Sequence, residues 1–160
     1  MFSKDGLKVL HRATHESLHL VFEHAAALPA GTITEKIPGF GGNTVRDQLV
    51  HILSTEANWI AGMQNQPLPK LTASEFATVA SLLVGRRRVS DATLRYIDSL
   101  TETQLNTTLT GLPKEWMGPP RSPAFIILHV LTHAFHHKGQ VTAMFRLLGK
   151  PIGDTDLQRM

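Results

Sequence analysis

The residues in this chain best suited to chemistry are histidines, of which there are nine. Four of them crowd into the run His129-Val130-Leu131-Thr132-His133-Ala134-Phe135-His136-His137. On a helix, residues four apart share a face, with Cβ atoms about 5–6 Å apart. His133 and His137 can therefore offer two imidazole nitrogens to one metal ion at about 2.0–2.1 Å each. They lie in line with Val130, Val141, Met144 and Leu148, the face expected to point into the protein. Two unpaired histidines on a buried face would leave four ring nitrogens to satisfy, and a shared metal answers part of that need. Histidine pairs at this spacing also occur on surface helices without metal. His51 lies between Val50 and Ile52 in an otherwise apolar segment. Alone it reads as a hydrogen-bonded core residue. A ligand pair on another helix makes it the natural third ligand, because helical bundles build metal sites from facing helices.

Other patterns are weaker. His136 points about 100° away from His137 around the helix. His129 adds a turn to the stripe, too far for the same tetrahedral centre. The His133–His137 spacing matches a zinc-protease HExxH, but Ala134 replaces the glutamate that would act as base. Glu16-Ser17-Leu18-His19 matches one half of a di-iron element and has no second copy. His11, His15 and His19 form a row on the first helix that is expected to face solvent; the alternative is the mouth of a pocket. Glu56 follows His51 by five residues, about 140° round the helix, so no direct role beside His51 is expected. No other carboxylate is placed as a base next to the proposed ligands. With no cysteine in the chain, thiolate ligands and disulfides are excluded, and any reacting thiol must come from a small cofactor.

Four long elements must position these groups. Leu7, Leu10, Leu18, Val21, Phe22 and Ala25 recur at helical spacing from Asp5 to Leu28, and Pro29 and Gly31 end that helix. A glycine-rich loop follows. A second helix is expected from Thr44, where Thr44-Val45-Arg46-Asp47 resembles a capping box, until just before Pro67. Thr72-Ala73-Ser74-Glu75 is a better capping box and should open a third helix running to about Leu100. The stretch 101–121 is expected to be irregular, with a β-prone Thr107-Thr108-Leu109 that suits a short hairpin. Ser122 and Pro123 start the last helix, which Gly149 and Pro151 end. The expectation is an all-α, single-domain four-helix bundle over residues 1–160, with an irregular segment between helices 3 and 4.

The bulk properties narrow the function classes. Apolar residues make up 42% and charged residues 18%, a globular rather than disordered composition. No apolar run approaches the ~20 residues of a membrane span, and the first residues lack a signal-peptide pattern, so a cytoplasmic protein without a membrane partner is expected. The net charge is only +3. The single dense basic cluster, Arg86-Arg87-Arg88, has few aromatic neighbours for stacking on bases, which argues against nucleic-acid binding.

His133-Ala134-Phe135-His136-His137-Lys138-Gly139-Gln140, continuing to Leu147-Leu148-Gly149-Lys150-Pro151, resembles the closing helix of the DinB/YfiT-like family, whose pattern is H-x-x-x-H-R-G-Q. Val45-Arg46-Asp47-Gln48-Leu49-Val50-His51-Ile52-Leu53, with Glu56 and Trp59, resembles that family's second helix. Lys138 stands where arginine is usual, which keeps the charge and loses the guanidinium fork. The resemblance implies a four-helix bundle and a divalent metal, Ni2+ or Zn2+, held by His51, His133 and His137. It implies a homodimer and a small-molecule substrate. Family members include enzymes that use low-molecular-weight thiols such as bacillithiol or mycothiol; the DinB name records DNA-damage induction and implies no polymerase.

Two functions follow. The first is a metal-dependent thiol S-transferase or isomerase, with three neutral histidines leaving the ion an open position and substrate entering near Trp59 and the 101–121 segment. The second is a non-catalytic, stress-response metal-binding module. A hydrolase using metal-bound hydroxide is a third reading that no residue specifically supports.

Overall fold

Residues 1–69, 71–76, 78–110, 112 and 120–157 are described by a computed structural model of the chain. Five helices run through them: α1 (Lys4–Ala27), α2 (Val45–Met63), α3 (Val79–Ser99), the short α4 (Glu102–Asn106) and α5 (Pro123–Leu147). One 3-10 turn (Thr32–Thr34) packs on α2. There is no strand among the described residues, and the all-α reading holds.

Local chemistry sets most boundaries. The Ser3 hydroxyl accepts from the Gly6 amide (3.1 Å) and opens α1. The Thr44 hydroxyl accepts from the Asp47 amide (3.0 Å) and opens α2 where the sequence signal lay. Ser122 caps α5, with Pro123 in its first turn. Gly149, at φ 68°, takes the left-handed conformation that lets the chain leave the helix.

The start of α3 differs from expectation. Glu75 does accept from the Thr72 amide (2.9 Å), as a capping box requires, yet residues 73–76 form only a turn. The helix begins at Val79, capped reciprocally by Thr78 and Ser81. Tertiary packing overrides the local signal: Phe76 is buried against Gly85, where an added Cβ would lie 2.5 Å from the ring carbon Cε1. That ring position requires a glycine on the facing turn of α3.

The stretch expected to be irregular contains α4, capped by Thr101 and Gln104 in a true capping box. Its Leu105 is fully buried, and Asn106 exchanges two 2.8 Å hydrogen bonds with the backbone of Phe2. The expected hairpin is reduced to one described backbone bond, Leu109 N–H to Arg121 O (3.0 Å). Residues 113–119 lie outside the described residues.

Helices α1 and α2 each pack against both α3 and α5, so α1 and α2 stand at opposite corners of the bundle. The apolar core is divided along its length. One cluster is built on Leu18, Val21, Phe22, Leu49, Leu53, Val89, Ala134 and Phe145. The other is built on Leu7, Ile60, Tyr96, Ile97, Ile127 and Leu131. The chain after α5 returns along the bundle: Ser17 Oγ donates to Thr155 O (2.6 Å), and Lys138 Nζ donates to Ser17 Oγ and Thr155 O (2.9 Å each). Among the described residues no helix is long and apolar enough to cross a membrane.

Candidate metal centre

His51 on α2 and His133 and His137 on α5 converge. Their ring centroids are 5.0 Å (His51–His133), 4.5 Å (His51–His137) and 4.3 Å (His133–His137) apart. One nitrogen from each ring can be chosen so that all three lie within 4.8 Å of one another. The helix pair that carries them, α2 against α5, is among the most closely packed in the bundle. The histidines sit at the rim of that interface and not in the core: His51 is exposed, and His133 and His137 are half-buried. The inward face that Val130, Val141 and Met144 suggested is indeed buried, but the two rings lean off its edge toward solvent.

Gln48, one turn before His51 on α2, is a further part of the site that histidine spacing does not reveal. It is 1% exposed. Its Nε2 donates to Gly42 O (3.2 Å), which directs its Oε1 to His137 Nδ1 at 2.7 Å. Gln140 Oε1 lies 3.0 Å from the same nitrogen, and Gln140 Nε2 is 3.1 Å from His136 Nε2. Amide oxygens only accept, so Nδ1 of His137 carries the proton and Nε2 keeps its lone pair. Such partners fix the tautomer and aim of a metal-binding histidine. A polar glutamine among apolar helix positions was the available signal.

Electrostatics favour the neutral rings a metal needs. Burial lowers the His133 pKa to about 4, helped by repulsion from His137, His51, His129 and His136. Burial also lowers His51, and burial followed by repulsion from His51 lowers His137. The flanking histidines are exposed: His129 stands edge-on to Trp59 (5.6 Å between centroids), and His136 stands edge-on to His137 (4.9 Å).

A second group able to hold a metal is buried, and it overturns one expectation. His11 and His15 do not face solvent; they are 0% and 3% exposed. His11 Nε2 donates to Glu56 Oε1 (2.8 Å), His15 Nε2 donates to Glu56 Oε2 (2.9 Å), and Thr93 Oγ1 donates to Oε1 (2.6 Å). Only His19, half-buried and paired with Glu23 (3.1 Å), approaches the solvent-facing reading. The helical row was visible in the sequence, but a histidine row and a leucine row have the same period, and only the position of Glu56 reveals that this face points inward. Burial opposes the ionisation of Glu56, but the His15 charge and the hydrogen bonds from His11 and His15 outweigh it and hold the carboxyl well below its usual range. Glu56 thus has no place beside His51, as its angle around α2 suggested, and instead anchors a separate cluster.

Two cavities of about 520 and 440 Å3 lie elsewhere. The first is lined by residues including Tyr96, Gln104 and Thr107. The second lies between α2 and α3 and is lined by residues including Ala57, Arg88 and Thr93. Neither is lined by the histidine triad or Trp59, but the first is lined by Gln104, Thr107, Thr108 and Leu109, so the expected substrate path meets a cavity at the 101–121 segment and not at Trp59.

A four-cornered helical bundle with a rim of three convergent imidazoles and a buried His–Glu layer defines a class of helical-bundle protein with two side-chain groups able to hold a metal ion. The family model for the DinB family matches residues 1–160, the whole chain, and the protein belongs to that family. A search of curated proteins found no match.

Proposed function

We propose that His51, His133 and His137 hold one divalent transition metal, Ni2+ or Zn2+, and that the protein is a metal-dependent S-transferase or isomerase acting with a low-molecular-weight thiol. The observation that carries this reading is the convergence of three imidazole donors from two helices within 4.8 Å of one another. The donor set fits the ion: imidazole nitrogen suits nickel and zinc, three neutral ligands leave a further position for a small molecule, and His137 is held with its Nε2 lone pair free. A divalent ion there supplies the positive charge that favours the deprotonated, nucleophilic form of a thiol.

The chain's own residues do the rest. Gln48 and Gln140 orient His137. His51, exposed at the rim, leaves the site reachable from solvent. His129, one turn before His133, stands edge-on to Trp59, and the two rings form an aromatic edge suited to the apolar part of an electrophile. The chain contains no cysteine, so the thiol arrives as cosubstrate.

The test is turnover of an electrophile panel by metal-loaded wild type and His133→Ala, each with bacillithiol, mycothiol and glutathione. Thiol-dependent turnover in wild type that is lost with the variant supports the reading. No thiol-dependent turnover in wild type above the variant with any of the three would leave a non-catalytic metal-binding module as the better account.

A further inference from the structure

We propose that the buried layer of His11, His15 and Glu56 is a second metal site, a closed structural one holding a borderline divalent cation such as Zn2+. The site is independent of the rim triad. It uses different residues, on α1 and α2, and joins helices at opposite corners of the bundle.

The donor set and its placement carry the inference. Two imidazoles four residues apart on α1 face one carboxylate on α2, and a donor atom from each lies within 4.8 Å of the others. Both oxygens of Glu56 are engaged, one by each histidine. The present contacts are 2.8 and 2.9 Å, whereas donors around a tetrahedral zinc ion stand about 3.3 Å apart at metal distances near 2.0–2.1 Å. Opening each contact by about half an ångström admits the ion, a change within the reach of side-chain rotation. Two nitrogens and a carboxylate suit a borderline cation and not magnesium or calcium, which prefer oxygen shells.

The position of the layer is unusual for a core. It falls where the two apolar clusters part: Leu7 and Leu18 flank it on α1, Leu53 and Ile60 on α2, Val89 and Tyr96 on α3. Aliphatic side chains would fill the same space without polar atoms. Instead the layer buries a carboxylate and two imidazoles, and among the described residues Nδ1 of both His11 and His15 has no hydrogen-bond partner, with or without an ion at Nε2. The neighbouring cation, Arg86, directs its guanidinium to the His15 backbone carbonyl (3.0 Å). A divalent cation between the three side chains would neutralise the carboxylate directly. Thr93, whose hydroxyl holds Glu56, also lines the 440 Å3 cavity between α2 and α3, so one side chain separates the layer from that cavity.

The experiment is a zinc titration of the chelator-stripped full chain, read as bound equivalents, together with an anomalous difference map at the zinc edge from wild-type crystals. Expected are a peak between His11, His15 and Glu56, and one equivalent retained by His133→Ala that is lost when Glu56→Gln is added. The wild-type map makes the test independent of whether the Glu56 variant folds. A map with no peak in the layer overturns the proposal, whether or not the rim triad binds, and the layer is then a hydrogen-bonded element that holds only protons. A rim triad without metal beside a filled layer would instead contradict the proposed function and leave this inference standing.

Discussion

Gln48 on α2 holds the ring of His137 on α5: its Oε1 accepts from Nδ1 at 2.7 Å, while its own amide is tied to the Gly42 carbonyl. The bond spans the two helices that carry the rim histidines, so the interface that packs the bundle also sets the aim of a ligand. Replacing Gln48 by leucine keeps the volume and removes the acceptor. The expected result is a fall in metal affinity of about 10–100-fold, the usual effect of losing such a partner, with helix content unchanged. Gln48→Glu keeps an acceptor for Nδ1 but loses the donor to Gly42 O, so it should retain more affinity than Gln48→Leu. Competition against a chromophoric chelator measures both.

Gly85 is fixed by Phe76. A Cβ there would stand 2.5 Å from the ring, and Phe76 is buried. Alanine gains up to about 1 kcal/mol of helix propensity, but forcing the ring aside costs about 1–3 kcal/mol. Gly85→Ala should therefore lower the denaturation midpoint, although glycine-to-alanine in a helix ordinarily raises it. An unchanged or higher midpoint would contradict this packing.

The aromatic titration has one reporter, because Tyr96 is the only tyrosine. Burial raises its pKa from 10.0 to about 12. The unfolded chain therefore loses this proton first as pH rises. By linkage, the folded state loses stability between the unfolded and folded values and has its full share below them. Phenolate absorbance of the native protein should appear near pH 12, and after denaturation near pH 10. Coincident native and denatured titrations would place Tyr96 in solvent.

Lys138 ties down the chain beyond α5 through Ser17 and the Thr155 carbonyl. Hydrogen bonds to a charged group are worth about 1.5–3 kcal/mol. Lys138→Met should speed amide exchange in residues 150–157 by roughly tenfold or more while the helical core keeps its protection. Uniform exchange in wild type and variant would show that the amine does not anchor that segment.

Much of this was legible in the residues. Thr44 and Ser122 mark helix starts because capping is local chemistry. The His133–His137 pair on α5 and its likeness to a known closing motif pointed to the rim triad, and the three rings do converge. What depended on distant packing was not legible. Thr72–Glu75 has the capping pattern, yet Phe76 turns into the core and delays α3 to Val79. The His11–His15 row carries no mark of which side of α1 it occupies. Glu56 is 41 residues from His15 in the chain and within hydrogen-bond reach of it only after α1 and α2 take opposite corners of the bundle. Gln48 was passed over for the same reason: its role is a contact with His137, 89 residues away.

The central claim is that the three rim histidines are metal ligands. The most direct measurement is an anomalous difference map from wild-type crystals grown with Ni2+, collected on both sides of the nickel absorption edge. The account predicts one strong peak between His51, His133 and His137, about 2.0–2.1 Å from a nitrogen of each, and no peak there in His133→Ala crystals of the same form. Rings in the same arrangement with no peak between them, at saturating nickel, would contradict it.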